Sequence, residues 1–345
     1  MRWIAIAALL LCHGSAHAYV RTRSTSGVPL RWPNSCVTVT PDSRGSVDLP
    51  TSAVFADVRR ALENWRYATV GCSYLQLLYG MPLERERALG DGVNVVRFLS
   101  NAWCTNGDAA GPCYDPTAQA VTTVFYYDRP GDPTDGVITG ADIELNNVNF
   151  TFVDIAPDQS TLPVARPQTL LADLENTLTH ELGHLQGLSD SCARLGLDNQ
   201  VDETGSPPPS CNEPNLDPKI LNATMYPIAS PASTAQRTPE ADDIAGICAD
   251  NAYPLSKDPN RCEEIALATS PTLHFGDCAL SAGRGRTAGG FGIALSVLLC
   301  ALAIRRRSIR CVSATCSQQT PISARTPCRA TRPAARTRSR PRRPS

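Results

Sequence analysis

The sequence predicts an α+β domain, and three observations carry that reading. Residues 51–70 and 171–185 space their apolar side chains at helical intervals, whereas several short stretches between them alternate or cluster as strands do. A leader at the start and a change of composition after Pro254 confine this pattern to residues 19–255.

Residues 1–18 read as a secretory leader. Arg2 precedes an apolar core from Ile4 to Cys12, too short to span a membrane, and Ala16-His17-Ala18 forms a small-residue cleavage site. Tyr19 is then the expected mature N-terminus, and an oxidising destination makes disulfides expected. A polar, flexible arm follows. Cys36-Val37-Thr38-Val39-Thr40 alternates as a strand that Pro41 and Asp42 close.

Val54, Val58, Ala61, Leu62 and Trp65 give residues 51–70 an apolar helical face, with Thr51 or Ser52 as the expected cap. Residues 74–78, 93–98 and 120–127 read as strands. The stretch 138–152 reads as another, in which Ile143 and Leu145 alternate with Asp142, Glu144 and Asn146.

The second helix carries His180-Glu181-Leu182-Gly183-His184. Histidines four apart on a helix share a face, so a metal ion can sit between them. Leu171, Leu174, Leu178, Leu182 and Leu185 form a stripe on the opposite side, and Glu181 falls between the two, placed to reach a water rather than the metal itself. Gly187 is suited to a left-handed helix end that reverses the chain and brings Asp190 back towards the imidazoles. A catalytic zinc takes three protein ligands and keeps one position open, which His180, His184 and Asp190 would satisfy. Of five histidines, two lie in the leader, and His274 is the remaining imidazole.

Farther on comes Asn222-Ala223-Thr224-Met225-Tyr226-Pro227. Together with His180, Glu181, His184, Gly187 and Asp190, this segment resembles the metzincin zinc metalloproteases, the matrixin branch in particular. That branch usually has histidine where this chain has Asp190. The resemblance covers about residues 30–255 and implies a metzincin-like zinc protease domain. Such a domain has a twisted, mostly parallel sheet with two long helices and a small C-terminal subdomain. It further implies Zn2+ as cofactor, Met225 as a hydrophobic floor beneath it, Glu181 as the catalytic proton carrier, and protein or peptide substrates. A calcium ion is compatible with it. In this family the strand shortly before the active-site helix is a sheet edge that pairs with substrate, which assigns Ile143, Glu144 and Leu145 to that edge. Residues 239–252, with Glu240, Asp242 and Asp243 in the first turn, resemble the last helix of a matrixin domain.

Two alternatives stand beside this reading. A gluzincin-type site would take its third ligand from a later glutamate such as Glu203, and a surface-anchored binding protein could keep a zinc site without catalysis.

Eight cysteines fall in the body, an even set, and Cys104 with Cys113 and Cys192 with Cys211 would close short loops rich in Gly, Pro and Asp. For Cys36 a disulfide or buried role is expected. No C-x-x-C pair exists, which argues against a zinc finger. Beyond a spacer at 256–287, residues 288–304 form an apolar run at the short limit for a membrane span, followed by Arg305-Arg306-Arg307 on the expected cytoplasmic side. Cysteine, apolar run and arginines resemble sorting tails of myxobacterial type, although such tails end at the arginines. Residues 305–345 form a basic tail whose composition predicts disorder. The formal net charge of −1 hides this asymmetry: without Arg2, Arg284, Arg286 and the twelve arginines beyond Ile304, about −16 remains. Charge alone would let the tail meet nucleic acid, but for a secreted or surface-anchored chain no nucleic-acid partner is expected.

Aspartate as third ligand adds a negative charge that histidine would not, which should make the bound water less acidic. An Asp190→His variant should therefore show its activity optimum at lower pH than the wild type in a pH–rate profile. An optimum that stays or rises would contradict this.

Overall fold

The structure, a computed structural model, describes residues 19–250 except 85, 87–90, 157, 158, 160 and 195–199, together with the backbone of 309–317. Its elements in chain order are β1 (Val20–Arg21), β2 (Cys36–Pro41), α1 (Thr51–Thr69), β3 (Gln76–Tyr79), β4 (Asn94–Leu99), β5 (Ala118–Tyr127), β6 (Ile138–Asn146), β7 (Phe150–Val153), β8 (Leu170–Asp173), α2 (Leu174–Leu185), β9 (Leu188–Ser189), α3 (Pro218–Asn222), α4 (Ala241–Asp250) and β10 (Ile309–Ser317). The architecture is mixed α/β, with few helices against a mostly parallel sheet, compatible with the predicted α+β class.

That sheet has the order β10-β5-β6-β4-β2-β3. Strands β3, β2, β4 and β6 run parallel, with Val96 opposite Ile143, while β5 and β10 are antiparallel. The parallel strands are almost wholly apolar or buried, as strands covered by helices must be. Helix α1 packs against α2 and β3, and α2 lies over β5. Between them sits one core built from Val37, Val39, Trp65, Ile143, Leu178, Leu182 and their neighbours. A smaller cluster of Cys192, Cys211 and Ile220 serves the segment after α2.

Several local expectations change. Leu171 belongs to β8 rather than to the second helix, because Asp173 caps that helix by accepting a 3.0 Å bond from Asn176 N. Helix α1 begins after Pro50, and neither Thr51 nor Ser52 caps it: proline already holds a φ of −55° there, and no side-chain cap bond forms. The expected strand 138–152 is two strands. Between them the Asn146 side chain accepts from Asn149 N at 3.0 Å, a local turn that breaks the ladder. The arm after Tyr19 is held rather than flexible, since β1 pairs with β9 and Thr22 N donates to Gly187 O at 2.9 Å. Within the tail predicted to be disordered, Ile309–Ser317 forms β10 along β5, where a ladder of backbone bonds outweighs the polar composition.

Cys104–Cys113 and Cys192–Cys211 are disulfides as expected, Cys72–Cys248 is a third, and Cys36 is also disulfide-bonded. The leader, the spacer, Cys262, His274 and the apolar run 288–304 lie outside the described residues. Among the described residues no helix is long and apolar enough to cross a membrane.

Trp65 joins the two long helices: it is fully buried, and its indole Nε1 donates to Thr179 O at 2.7 Å, one residue before His180. Trp65→Ala should lower the unfolding free energy by about 3–5 kcal/mol in a denaturant titration. A loss below about 1 kcal/mol would show that the helices do not depend on this contact.

Candidate metal centre

Helix α2 projects His180 and His184 from one face with ring centroids 4.8 Å apart. Two residues beyond its end, Gly187 has φ +102°, and a Cβ there would lie 2.8 Å from Leu30 O. Only glycine fits that left-handed turn against the backbone. The reversed chain then forms β9, is fastened to β1, and delivers Asp190 to the imidazoles. Asp190 Oδ1 lies 3.5 Å from His180 Nε2 and 3.4 Å from His184 Nε2. All three side chains are at most 1 % exposed, and these three atoms have no hydrogen-bond partner.

Buried polar atoms without partners cost about 1–3 kcal/mol each, so three converging on one point call for an explanation. A tetrahedral ion with arms of about 2.0–2.1 Å would separate its ligands by roughly 3.3–3.4 Å, close to the two distances observed. The outer ring nitrogens support this. His180 Nδ1 lies 2.8 Å from Thr224 O and His184 Nδ1 lies 3.0 Å from Leu188 O. Carbonyl oxygens only accept, so both Nδ1 atoms carry the proton and both Nε2 lone pairs point at Asp190 Oδ1. The donor set therefore fits a divalent ion such as zinc. Among the described residues these three side chains form the grouping of His, Cys, Asp or Glu whose ligand atoms gather within 4.8 Å of one another.

Glu181 is fully buried beside this group. Thr122 Oγ1 on β5 donates to its Oε2 at 2.5 Å, and Oε1 has no partner. Burial pushes its carboxyl up to about 7, although the His180 imidazole and the Thr122 bond pull the other way. Asp190 behaves differently. Burial raises it too, but the Arg194 guanidinium and the two imidazoles outweigh burial and hold it well below the usual carboxylate range. Arg194 reaches Asp190 Oδ2 through its terminal nitrogen at 2.9 Å and through Nε at 3.2 Å. That pairing offsets part of the charge on which the expected shift in pH optimum rests.

Met225 is fully buried beneath α2, and a Cβ on Gly183 would collide with its sulfur. Its segment is pinned from both sides. Thr224 N and Met225 N donate to Asp243 Oδ2 at 2.6 and 3.4 Å, and Ser191 N donates to Met225 O at 2.9 Å. The same peptide unit that positions Met225 thus presents Thr224 O to His180.

Two sequence readings do not meet at this site. Glu203 is turned away, each carboxylate oxygen 2.7 Å from the Arg21 guanidinium, so it does not complete the ligand set. Ile143, Glu144 and Leu145 lie on β6, which is hydrogen-bonded to β4 on one side and β5 on the other. An interior strand has no unpaired edge to offer, and the assignment of a substrate edge to these residues is corrected: β5 is the strand beside α2, and β10 pairs along its outer side. Sequence reasoning missed Thr122, Arg194 and Asp243. Arg194 follows Asp190 by four residues, a charge spacing that could have been noticed. Asp243 passed as one of several first-turn acids, and nothing in the sequence singled out Thr122. Compared with known proteins, the sequence matches no family model and no curated protein.

Asp243 supplies a pH test. Burial raises its carboxyl to about 7, in spite of the backbone bonds from Thr224 and Met225. An acid whose folded pKa lies above its unfolded value keeps its proton longer in the folded chain. Stability is therefore undiminished below about pH 4 and is lost as pH rises towards 7, and Glu181 acts in the same sense. In the metal-free protein, Asp243→Asn should flatten the fall of the denaturant midpoint between pH 5 and pH 8. An unchanged slope would show that this carboxyl does not carry the dependence.

Proposed function

We propose that this chain is a secreted or surface-anchored zinc-dependent endopeptidase of the matrixin-like metzincin type. One observation carries the reading: two imidazole nitrogens, each within 3.5 Å of one carboxylate oxygen, are buried with it and unpartnered beside a buried glutamate. His180, His184 and Asp190 would hold the ion through Nε2, Nε2 and Oδ1. A zinc ion bound there supplies a Lewis acid that activates water and polarises a carbonyl.

The protein's own groups do the rest. Thr224 O and Leu188 O fix the imidazole tautomers, so neither histidine has a proton on its inward nitrogen. Thr122 fixes one oxygen of Glu181 and leaves Oε1 unpaired, ready to take a proton from the attacking water and return it to the departing amine. A carboxyl whose proton affinity burial has raised suits both halves of that transfer, and a nearby cation would draw it back down. Met225 packs an apolar floor under the helix, and Gly183 makes room for it.

A surface-anchored binding protein with a non-catalytic zinc site is the second reading. It is favoured by β10, which pairs along the edge of β5 that a peptide would otherwise add to. Variants separate the two. Glu181→Ala should keep one zinc per chain and lose casein hydrolysis by about 10²–10⁴-fold, while Asp190→Ala loses the metal and Glu203→Ala changes neither. Wild-type protein that holds zinc but cleaves no casein would favour the binding protein.

A further inference from the structure

Arg194 lies outside the three converging ligand side chains, yet two of its guanidinium nitrogens donate to one oxygen of the third ligand. From the geometry we infer that Arg194 is a positioning residue that restricts Asp190 to single-oxygen coordination and so keeps a metal position open. The inference rests on the zinc reading above and concerns the geometry within that site.

The two oxygens of Asp190 have separate surroundings. Oδ2 accepts from Arg194 at 2.9 and 3.2 Å, whereas Oδ1 is buried, without a hydrogen-bond partner, and faces both imidazoles. A free carboxylate can bind a cation through one oxygen or both. With both, it would use the position that a hydrolytic zinc keeps for water. An arginine fork held against Oδ2 opposes that rotation, because swinging Oδ2 inward would break two charge-assisted bonds on a buried carboxylate. Three histidines, each offering a single nitrogen, would need no such guard.

The backbone that carries Arg194 is held independently. Cys192 is bonded to Cys211, Ala193 N donates to Pro209 O at 2.7 Å, and Cys211 N donates to Ala193 O at 3.0 Å. On the other side, Ser191 N donates to Met225 O and Ser191 Oγ to Ile220 O. The Arg194 side chain, 15 % exposed, therefore extends from a stapled loop. Lysine could supply the charge but would lose the second donor of the fork.

The test uses the full chain with cobalt in place of zinc, since the visible spectrum of cobalt reports coordination number. Wild type should bind one ion with a four-coordinate spectrum. Arg194→Met should still bind one ion but shift towards five-coordination, bind acetohydroxamate at least tenfold more weakly, and lose about 10–100-fold in kcat with KM little changed. Arg194→Lys should fall between the two. Unchanged spectra and hydroxamate affinity in both variants would overturn the inference, and so would loss of the metal from both with the fold intact by near-ultraviolet circular dichroism. If Arg194→Met does not fold, a wild-type spectrum in Arg194→Lys overturns it. Wild-type protein that binds no cobalt would instead defeat the zinc reading itself.

Discussion

Three lone pairs aimed at one buried point repel one another unless a cation sits among them, and much of this chain is arranged so that they cannot turn away. The outer nitrogens of His180 and His184 are spent on carbonyls of Thr224 and Leu188. Asp190 is brought in by a bend that Gly187 alone permits, because a side chain there would strike Leu30 O. The strand pair β1–β9 holds the bend, Asp243 holds the Thr224–Met225 segment, and the Cys192–Cys211 bridge holds the loop beyond. A metal-free protein pays for this arrangement in unsatisfied polar atoms. Such convergence is hard to account for as ordinary packing.

The helix and the bend were legible because each depends on local rules, whereas the methionine segment was picked out by its resemblance alone. Histidines four apart must share a face, a glycine three residues past a helical histidine can turn the chain, and the apolar spacing of 51–69 has a helical period. The positions of β2, β3, β4 and β5 followed from their strand-like patterning to within a few residues. The two short-loop disulfides were legible for a similar reason, since few other partners lie so near.

The unreadable parts are set by partners distant in sequence. Whether a strand is interior or at an edge depends on which strands come beside it, and β6 has β4, which is not its neighbour in sequence, on the side opposite β5. Leu171 fits the helical stripe, but Asp173 begins the helix two residues later because Arg237 and Asn176 bind its carboxylate. Thr122 looks like any strand threonine until α2 lies over it. Asp243 looks like helix-capping charge until the methionine segment covers it. Composition predicted disorder for a basic, proline-rich tail, and it could not anticipate that nine of its residues would pair with β5.

The central claim is that a divalent ion belongs among these three side chains, and anomalous scattering at the zinc absorption edge from crystals of the purified full chain tests it most directly. The account predicts one anomalous peak within about 2.0–2.2 Å of His180 Nε2, His184 Nε2 and a single oxygen of Asp190. A zinc-saturated crystal with no peak there, or with its peak at other ligands, would contradict it.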